Sequence, residues 1–351
     1  MKDIYVVAIC KNEEKNVDRF IKNVIQADKV IILDTGSTDK TYDKLCSYQK
    51  EYKNLEVYQK FYKEFKFDEA RNDALSYVDS KQRNNILIVN IDFDEYFYQD
   101  DWKDRLIQFL EETEITSGLP EEFFIDCLYK DCSDITLGNS DRVITCMRMF
   151  CGENFSYQNE VHETIVYNDS AWLSQEIYKC CKTVMIVHDQ DISKSRQTYI
   201  DLGEEELEEA KKKKAGGFVE GQIELLLIFE YNRNNDGKKS TDTRLEELYS
   251  DVQKLPVDRS FANVWMYEHY NDKKYLNDLL DNLSDQYYDQ NITYLLLKEV
   301  GKENIPKDKL EILITMFEWN KEFIGPEAFM LSEMDQEIEK MLYPEEKSAE
   351  K

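Results

Sequence analysis

Three acids crowd the end of an apolar run. After "ILIV" the chain reads "NIDFDEYF" (90–97), so Asp92, Asp94 and Glu95 stand where a buried strand should be finishing. Charge beside a core is costly, and acids placed there need a counter-charge. Side chains alternate along a strand, so Asp92 and Asp94 are expected on one face while Phe93 returns to the core. Two carboxylates sharing a face repel, and a hard divalent cation between them and a diphosphate would relieve that. The plain alternative is an acidic loop that follows a strand. The DxDx[TV] pattern of haloacid-dehalogenase-type phosphatases fits poorly, since Glu95 and Tyr96 stand where Thr or Val should follow.

Other candidates lie at similar places. "DTGSTD" (34–39) ends a second apolar run. Turn chemistry accounts for Gly36, which supplies a positive φ, and for Ser37 or Thr38 as the cap of a following helix. It leaves Asp34, a carboxylate well placed to accept the imide N–H of a uracil. Arg71, in "FKFDEARNDAL", is either a surface arginine or a partner for phosphate or for an acid that it orients. The chain has three histidines. His162 ("NEVHETI") and His188 ("MIVHDQD") end or interrupt strands, and His188 could complete a metal shell. His269, in "VWMYEHY", reads as structural. Glu163, beside His162, offers a carboxylate for general-base work. No GxGxxG follows a strand and no GxxxxGK[ST] occurs, so both common backbone cradles for phosphate are missing.

The elements that must position these residues alternate in period. Strands are expected at 3–9, 29–34, 55–59 and 85–92, with helices at 13–25, 39–50 and 68–78 between them. That alternation predicts an open, largely parallel α/β sheet, in which ligands bind at the carboxyl ends of the strands. Lys11, Asn12, Glu13, "DTGSTD" and "DFDE" all fall there. A helix near 101–112 and strand-like runs at 123–130, 142–150, 161–167 and 182–188 suggest a mixed or antiparallel extension. Beyond 190 the pattern is helical: 195–214, 218–231, 242–254, 259–270, 273–286, 290–301, 307–320 and 326–341. Successive helix pairs suggest a small α-solenoid, though no clean repeat signature appears. The expected division is 1–192, 193–343 and a disordered tail from 344. Aromatics in the helices (Phe229, Tyr231, Trp265, Tyr267, Tyr270) either line an acceptor groove or fill a core.

Composition narrows the function classes. Lys+Arg number 45 and Asp+Glu 72, a net charge of −27. Up to residue 190 there are 23 basic and 36 acidic residues, so the acidity is spread over the whole chain. Such a surface repels nucleic acid and anionic membrane, and an anionic substrate would need a cation to mediate its binding. No apolar stretch approaches the ~20 residues of a membrane span. The start "MKDIYVVAICKNEE" lacks a signal-peptide layout. Eight irregularly spaced cysteines form no CxxC pair, which predicts reduced thiols and a cytoplasmic protein.

In order along the chain, "KNEE", "DTGSTDKT", "FDEARN", "IDFDEYF", "VHE" and the later His188 resemble family-2 glycosyltransferases with the GT-A fold. Within these they are most similar to the branch containing the sublancin-type peptide S-glycosyltransferase. The resemblance covers roughly residues 1–200. It implies a Rossmann-like nucleotide-diphospho-sugar transferase domain followed by an all-α, helical-repeat-like domain. It also implies inverting transfer from a nucleotide-sugar, UDP-linked by preference, to a peptide, protein or glycan acceptor. Carried to matching positions, Asn12 and Glu13 would lie by the nucleoside and Asp34 by the base. Asp92 would meet the ribose or sugar. Asp94 and His188 would ligate Mn²⁺ or Mg²⁺. Glu163 would be the base, with Arg71 and Arg148 near donor or acceptor. The family often has a glycine soon after its final histidine, where this chain has "HDQD". A homodimer through the helical domain is a further expectation. The rival readings are a nucleotidyltransferase, which normally needs a Gly-rich loop after the first strand, and a degenerate GT-A domain serving as a scaffold.

Overall fold

The computed structural model describes residues 2–113, 121–132, 140–168, 179–189, 195–215, 217–233, 238–250, 263–264, 266–267, 270–283, 290–324 and 326–344. The expected tail, apart from Pro344, and His269 and Trp265 lie outside the described residues. So do most of the helix expected at 259–270 and the side chain of Phe229. The chain divides into two compact units. One comprises Met1–Lys130 and Val143–Ile192, the other Asp131–Arg142 and Ser193–Lys351.

In the first unit, β1 (Asp3–Cys10), β2 (Lys29–Asp34), β3 (Leu55–Gln59) and β4 (Ile86–Asn90) are parallel neighbours in the order β3-β2-β1-β4. Their aliphatic residues split by period two. Ile4, Val6, Val30, Ile32, Leu87 and Val89 pack on one face, and Val7, Ile31, Leu33, Ile86 and Ile88 on the other. Both faces are therefore buried, as parallel sheets require. α1 (Val17–Val24) buries Val17, Phe20, Ile21 and Val24 against the first face. α2 (Thr41–Glu51) packs on β3, and α3 (Phe67–Ser76) covers the second face through Ala74 and Leu75.

The strand order reverses at β1, which has β2 on one side and β4 on the other. Ligands bind open α/β sheets in the crevice at such a point, beyond the strand ends. Past β4 the sheet continues through β7 (Ser140–Cys151), β6 (Glu121–Cys132), β10 (Lys179–His188) and β5 (Glu95–Phe97), giving eight mixed strands. β7 is antiparallel to β4, and β5 is antiparallel to β10. The edge strand β5 is closed by a side chain: Asn23 accepts from Phe97 N–H at 2.8 Å and donates to its carbonyl at 3.0 Å. α4 (Trp102–Glu112) follows, with Trp102 stacked on Phe97 at 4.0 Å.

Two strands escape the sequence pattern. β5 has only three residues. The other is β8 (Phe155–Gln158), which pairs with β9 (Thr164–Tyr167); of the run expected at 161–167, residues 164–167 are this strand and 161–163 belong to the 159–163 loop. Left-handed backbone at Asn159 and His162 (φ 77° and 54°) turns that loop.

The second unit contains α5 (Gln197–Lys213), α6 (Gly217–Arg233), α7 (Lys238–Ser250), α8 (Lys274–Asn282), α9 (Gln290–Glu299), α10 (Lys307–Phe323), α11 (Pro326–Leu331) and α12 (Glu333–Leu342). α5 packs on α6 and α6 on α7. A Cβ on Gly203 would sit 2.8 Å from Leu227, so the glycine permits the close approach of α5 and α6. A bidentate pair from Arg196 to the buried Glu230, at 2.6 and 2.8 Å, ties the same two helices. The helix expected over 326–341 is broken at Ser332, whose hydroxyl caps α12 by accepting from Asp335 N–H. Among the helical aromatics, Tyr267 is buried with its hydroxyl on Glu299, and Tyr231 bonds Glu204. Tyr270 is exposed.

Asp335 is fully buried at the start of α12. One oxygen accepts from Gln290 at 2.7 Å, and Oδ1 has no partner among the described residues. Burial pushes the carboxyl up to about 6, against weaker downward pulls from Ser332 and Gln290. The folded protein thus holds this proton more tightly than the unfolded chain does. Stability from this group is gained as pH falls from about 6 toward 3.8 and lost as pH rises through about 6. The full gap corresponds to on the order of 3 kcal/mol. Urea unfolding at pH 5 and pH 7.5 should show a larger stability difference for wild type than for Asp335→Asn. Equal differences would contradict the assignment.

Candidate active site

The loops after β1 and β2 are laced together. Asn12 takes left-handed backbone (φ 57°), donates its N–H to Ser37 Oγ at 2.8 Å and accepts Thr38 N–H at 2.8 Å. Glu13 N–H reaches Thr41 Oγ1 at 2.7 Å, and Glu14 N–H reaches Asp39 at 3.2 Å. Ser37 and Thr38 are therefore occupied with Asn12 and do not cap α2. Asp39 performs that task, accepting from Thr41 N–H and hydroxyl at 2.9 and 2.6 Å.

Asp34 is fully buried, and its Oδ1 accepts from Gly36 N–H, Ser37 N–H and Gln59 Nε2 at 3.0, 2.9 and 3.0 Å. The carboxylate faces its own loop, so turn chemistry accounts for Asp34 as well as for Gly36. Gly36 is needed twice over. Its φ is 101°, and a Cβ there would lie 3.0 Å from the ring of Phe61, which is otherwise 72% exposed. Burial, then the charges of Asp34 and Glu13, push the neighbouring Cys10 thiol well up.

At the crevice Arg71 gathers residues from two segments far from it in sequence. It is 6% exposed, and its donors turn inward. Nε holds Glu163, Nη1 donates to Asn90 at 2.7 Å, and Nη2 donates to Asp92 Oδ1 at 2.8 Å. This overturns the reading of Arg71 as a surface residue and leaves it orienting acids. Burial opposes the charge, but Asp92 and Glu163 outweigh it and raise the guanidinium's proton affinity. Burial likewise pushes the Asp92 carboxyl up, while Arg71 and then Arg148 overcome it and hold it well below the usual range. Glu163 Oε2 carries no hydrogen bond among the described residues.

The motif "FDEARN" docks the loop that carries Glu163. Asn72 accepts from Tyr157 N–H and donates to its carbonyl, both at 2.8 Å. Phe67 N–H reaches the Glu160 carbonyl at 3.0 Å, and Lys66 pairs with the Glu160 side chain. Tyr157 lies 5.9 Å below the Arg71 guanidinium. Asn72, Asn90 and Tyr157 are the site residues that sequence reasoning missed. The "RN" of Arg71 and Asn72 was a visible signal for Asn72 alone.

β4 ends at Asn90, so Asp92 and Asp94 do not alternate along a strand. They occupy a turn closed by Glu95 N–H to the Asp92 carbonyl at 3.0 Å. Phe93 still returns to the core, stacked on Phe20 at 4.0 Å. Glu95 is fully buried. Its Oε2 accepts from Asp92 N–H at 2.8 Å and its Oε1 from Arg148 Nη2 at 2.5 Å. Burial leads in raising its carboxyl above the usual range, against Arg148. Arg148 Nη1 also lies 3.7 Å from Asp92 Oδ2.

Asp94 Oδ2 faces His188 Nε2 at 3.4 Å. Burial pulls the imidazole down, but the bond to Asp94 and the charges of Glu95, Asp94 and Asp92 raise it overall. Two ligands each about 2.1 Å from one ion, and roughly 105° apart, have about this separation. Among the described residues no group of three or more His, Cys, Asp or Glu is arranged to hold a metal. Asp94 and His188 fit a divalent cation as two ligands, leaving the others to donor oxygens. Asp92, Asp94, Glu95 and Glu163 against Arg71 and Arg148 leave a net −2 when His188 is neutral, which a divalent cation would balance. His162 stands next to Glu163 on its left-handed turn.

Residues 5–126, from β1 into β6, match the family model described as Glycosyl transferase family 2. No curated protein matches the chain. Solved structures similar to it include S. aureus TarS 1–349, at 13% identity over 91% of this chain and 92% of that one, TM-score 0.38. The same TarS fragment in complex with UDP gives the same identity and coverage with a TM-score of 0.39. The mannosyltransferase PcManGT from Pyrobaculum calidifontis, in complex with GDP-Man and Mn²⁺, gives 12% identity over 91% and 88%, TM-score 0.42. The parallel half-sheet with its mixed extension has the GT-A fold, and the match over residues 5–126 supports a glycosyltransferase.

Arg71 gives a direct prediction. Arg71→Ala leaves two acids without their shared partner and should destabilise the first unit by about 3–5 kcal/mol. Arg71→Lys keeps the charge but cannot fork three ways. It should retain most of the stability while lowering turnover at least tenfold. Thermal unfolding and turnover of both variants check this, and full activity in the lysine variant would contradict it.

Proposed function

We propose that the protein is a metal-dependent, inverting transferase that moves a sugar from a nucleotide-activated donor, UDP-linked by preference, to a peptide, protein or glycan acceptor. The observation that carries the reading is the sharing of one buried guanidinium by Asp92 and Glu163. It joins a donor-side acid to an acceptor-side base at the point where strand order reverses.

In this reading Asn12 and Glu13 border the nucleoside, and Asp34 acts through the loop it holds, whose backbone walls the base. Asp92, restrained by Arg71, receives a hydroxyl of the ribose or sugar. Asp94 and His188 hold Mn²⁺ or Mg²⁺, and an imidazole ligand favours Mn²⁺. The ion, when bound, supplies the positive charge that stabilises the departing diphosphate. Glu163 Oε2 takes the proton of an acceptor hydroxyl or thiol as that atom attacks the anomeric carbon. The bond to the diphosphate oxygen breaks, and its electron pair leaves with the nucleoside diphosphate. Attack from the opposite face inverts the centre.

The remaining expectations rest on the ordered motifs. Residues 1–192 form the catalytic domain, and the helices of 193–343 select the acceptor and pair in a homodimer. The branch is the sublancin-type one, and the enzyme works in the cytoplasm. Among the described residues no helix is long and apolar enough to cross a membrane.

Donor hydrolysis and transfer with Mn²⁺, screened over UDP-sugars, test the reading. Asp94→Ala should lose at least about 100-fold in turnover, and Glu163→Gln about 10²–10⁴-fold with donor binding retained. Undiminished activity in Asp94→Ala would remove the metal assignment. In Glu163→Gln it would remove the base.

A further inference from the structure

We propose that Glu95 is a positioning residue that sets the geometry of the donor-side acids without touching the substrate. The inference rests on the metal-dependent donor site proposed above.

Glu95 is fully buried, so neither donor nor acceptor reaches it. Its N–H and one carboxylate oxygen are spent on the turn that bears Asp92 and Asp94, and the other oxygen on Arg148. Its N–H closes the turn on the Asp92 carbonyl at 3.0 Å, and Oε2 accepts from Asp92 N–H at 2.8 Å. Asp92 is thus gripped through both its backbone groups by one residue. Oε1 accepts from Arg148 at 2.5 Å, which leaves the other nitrogen of that guanidinium 3.7 Å from Asp92 Oδ2. That distance is too long for a hydrogen bond. Glu95 therefore keeps Arg148 turned toward itself. Asp92 remains bonded firmly on Oδ1 alone, through Arg71.

The same residue sets the distance between Asp94 and His188. Glu95 lies opposite His188 in the β5–β10 register, and Asp189 N–H donates to the Asp94 carbonyl at 2.9 Å. Asp94 and His188 leave this junction on adjoining chains, one residue before Glu95 and directly across from it. Their 3.4 Å separation follows from where Glu95 fastens the turn. A buried carboxylate paired with arginine seldom improves stability over apolar packing. Placement of its neighbours explains why one stands here.

Glu95→Gln separates the two tasks. The amide oxygen can still accept from Asp92 N–H, so the turn stays closed, while the charge that holds Arg148 is gone. Arg148 should then swing onto Asp92 Oδ2 and draw that carboxylate out of place. Mn²⁺ affinity in the presence of UDP, read from the free-Mn²⁺ electron paramagnetic resonance signal, should fall about tenfold, as supporting groups around metal ligands typically cost. Turnover should fall by a similar factor, and the donor KM at saturating Mn²⁺ should rise, because the displaced Asp92 is the acid that meets the donor. Adding Arg148→Gln should cost the Gln variant less than it costs wild type, because the residues act as a unit. If Glu95→Gln fails to fold, Arg148→Lys supplies the same Mn²⁺ readout, since lysine cannot span both acids. A lowered melting temperature with unchanged Mn²⁺ affinity and turnover would overturn the proposal. A wild-type enzyme that needs no divalent cation would instead overturn the metal-dependent reading beneath it.

Discussion

A buried arginine holds this site together. Arg71 lies at 6% exposure with Glu163, Asn90 and Asp92 on three of its nitrogens. Removing a guanidinium from water costs several kcal/mol, and its partners must offset that with good geometry. The geometry here is a planar fork whose acceptors come from the end of β4, the turn after it and the β8–β9 loop. None of these can shift without breaking a bond to a charged group. The rest of the architecture serves this arrangement. Asn72 ties the hairpin to α3, Phe93 anchors the turn on Phe20, and Asn23 closes the edge beyond Glu95.

A second, quieter constraint shapes the other wall of the crevice. The loops after β1 and β2 are bonded mainly to each other, through Asn12 with Ser37 and Thr38 and through Glu13 with Thr41. Asp34, fully buried beneath, collects three donors on one oxygen. A wall built this way is rigid before any ligand arrives, which lowers the ordering cost of binding.

The parallel half of the sheet was legible because β-branched runs such as "VIIL" and "ILIV" bury both faces and leave little ambiguity of period. α1 was legible from the helical spacing of Val17, Phe20, Ile21 and Val24. What escaped was short or irregular. β5 has three residues, too few for a pattern, and the turn at 92–95 mimics strand alternation because Phe93 is apolar between two acids. Residues 161–163 resemble the start of the strand that follows because Val161 is β-branched, while His162 adopts a backbone no composition signals. Arg71 and Glu163 were both singled out, but their pairing spans 92 positions in sequence and became visible only in three dimensions. Glu95 drew the least attention of the three clustered acids, and it is the most deeply buried of them.

In the proposed function these acids receive a nucleoside diphosphate through a divalent cation. Calorimetric titration of UDP into the wild-type protein, with Mn²⁺ and then with excess chelator, tests it most directly. The account predicts saturable binding with Mn²⁺ and at least a tenfold weaker affinity without it. Equal affinity in both conditions, or no binding in either, would contradict it.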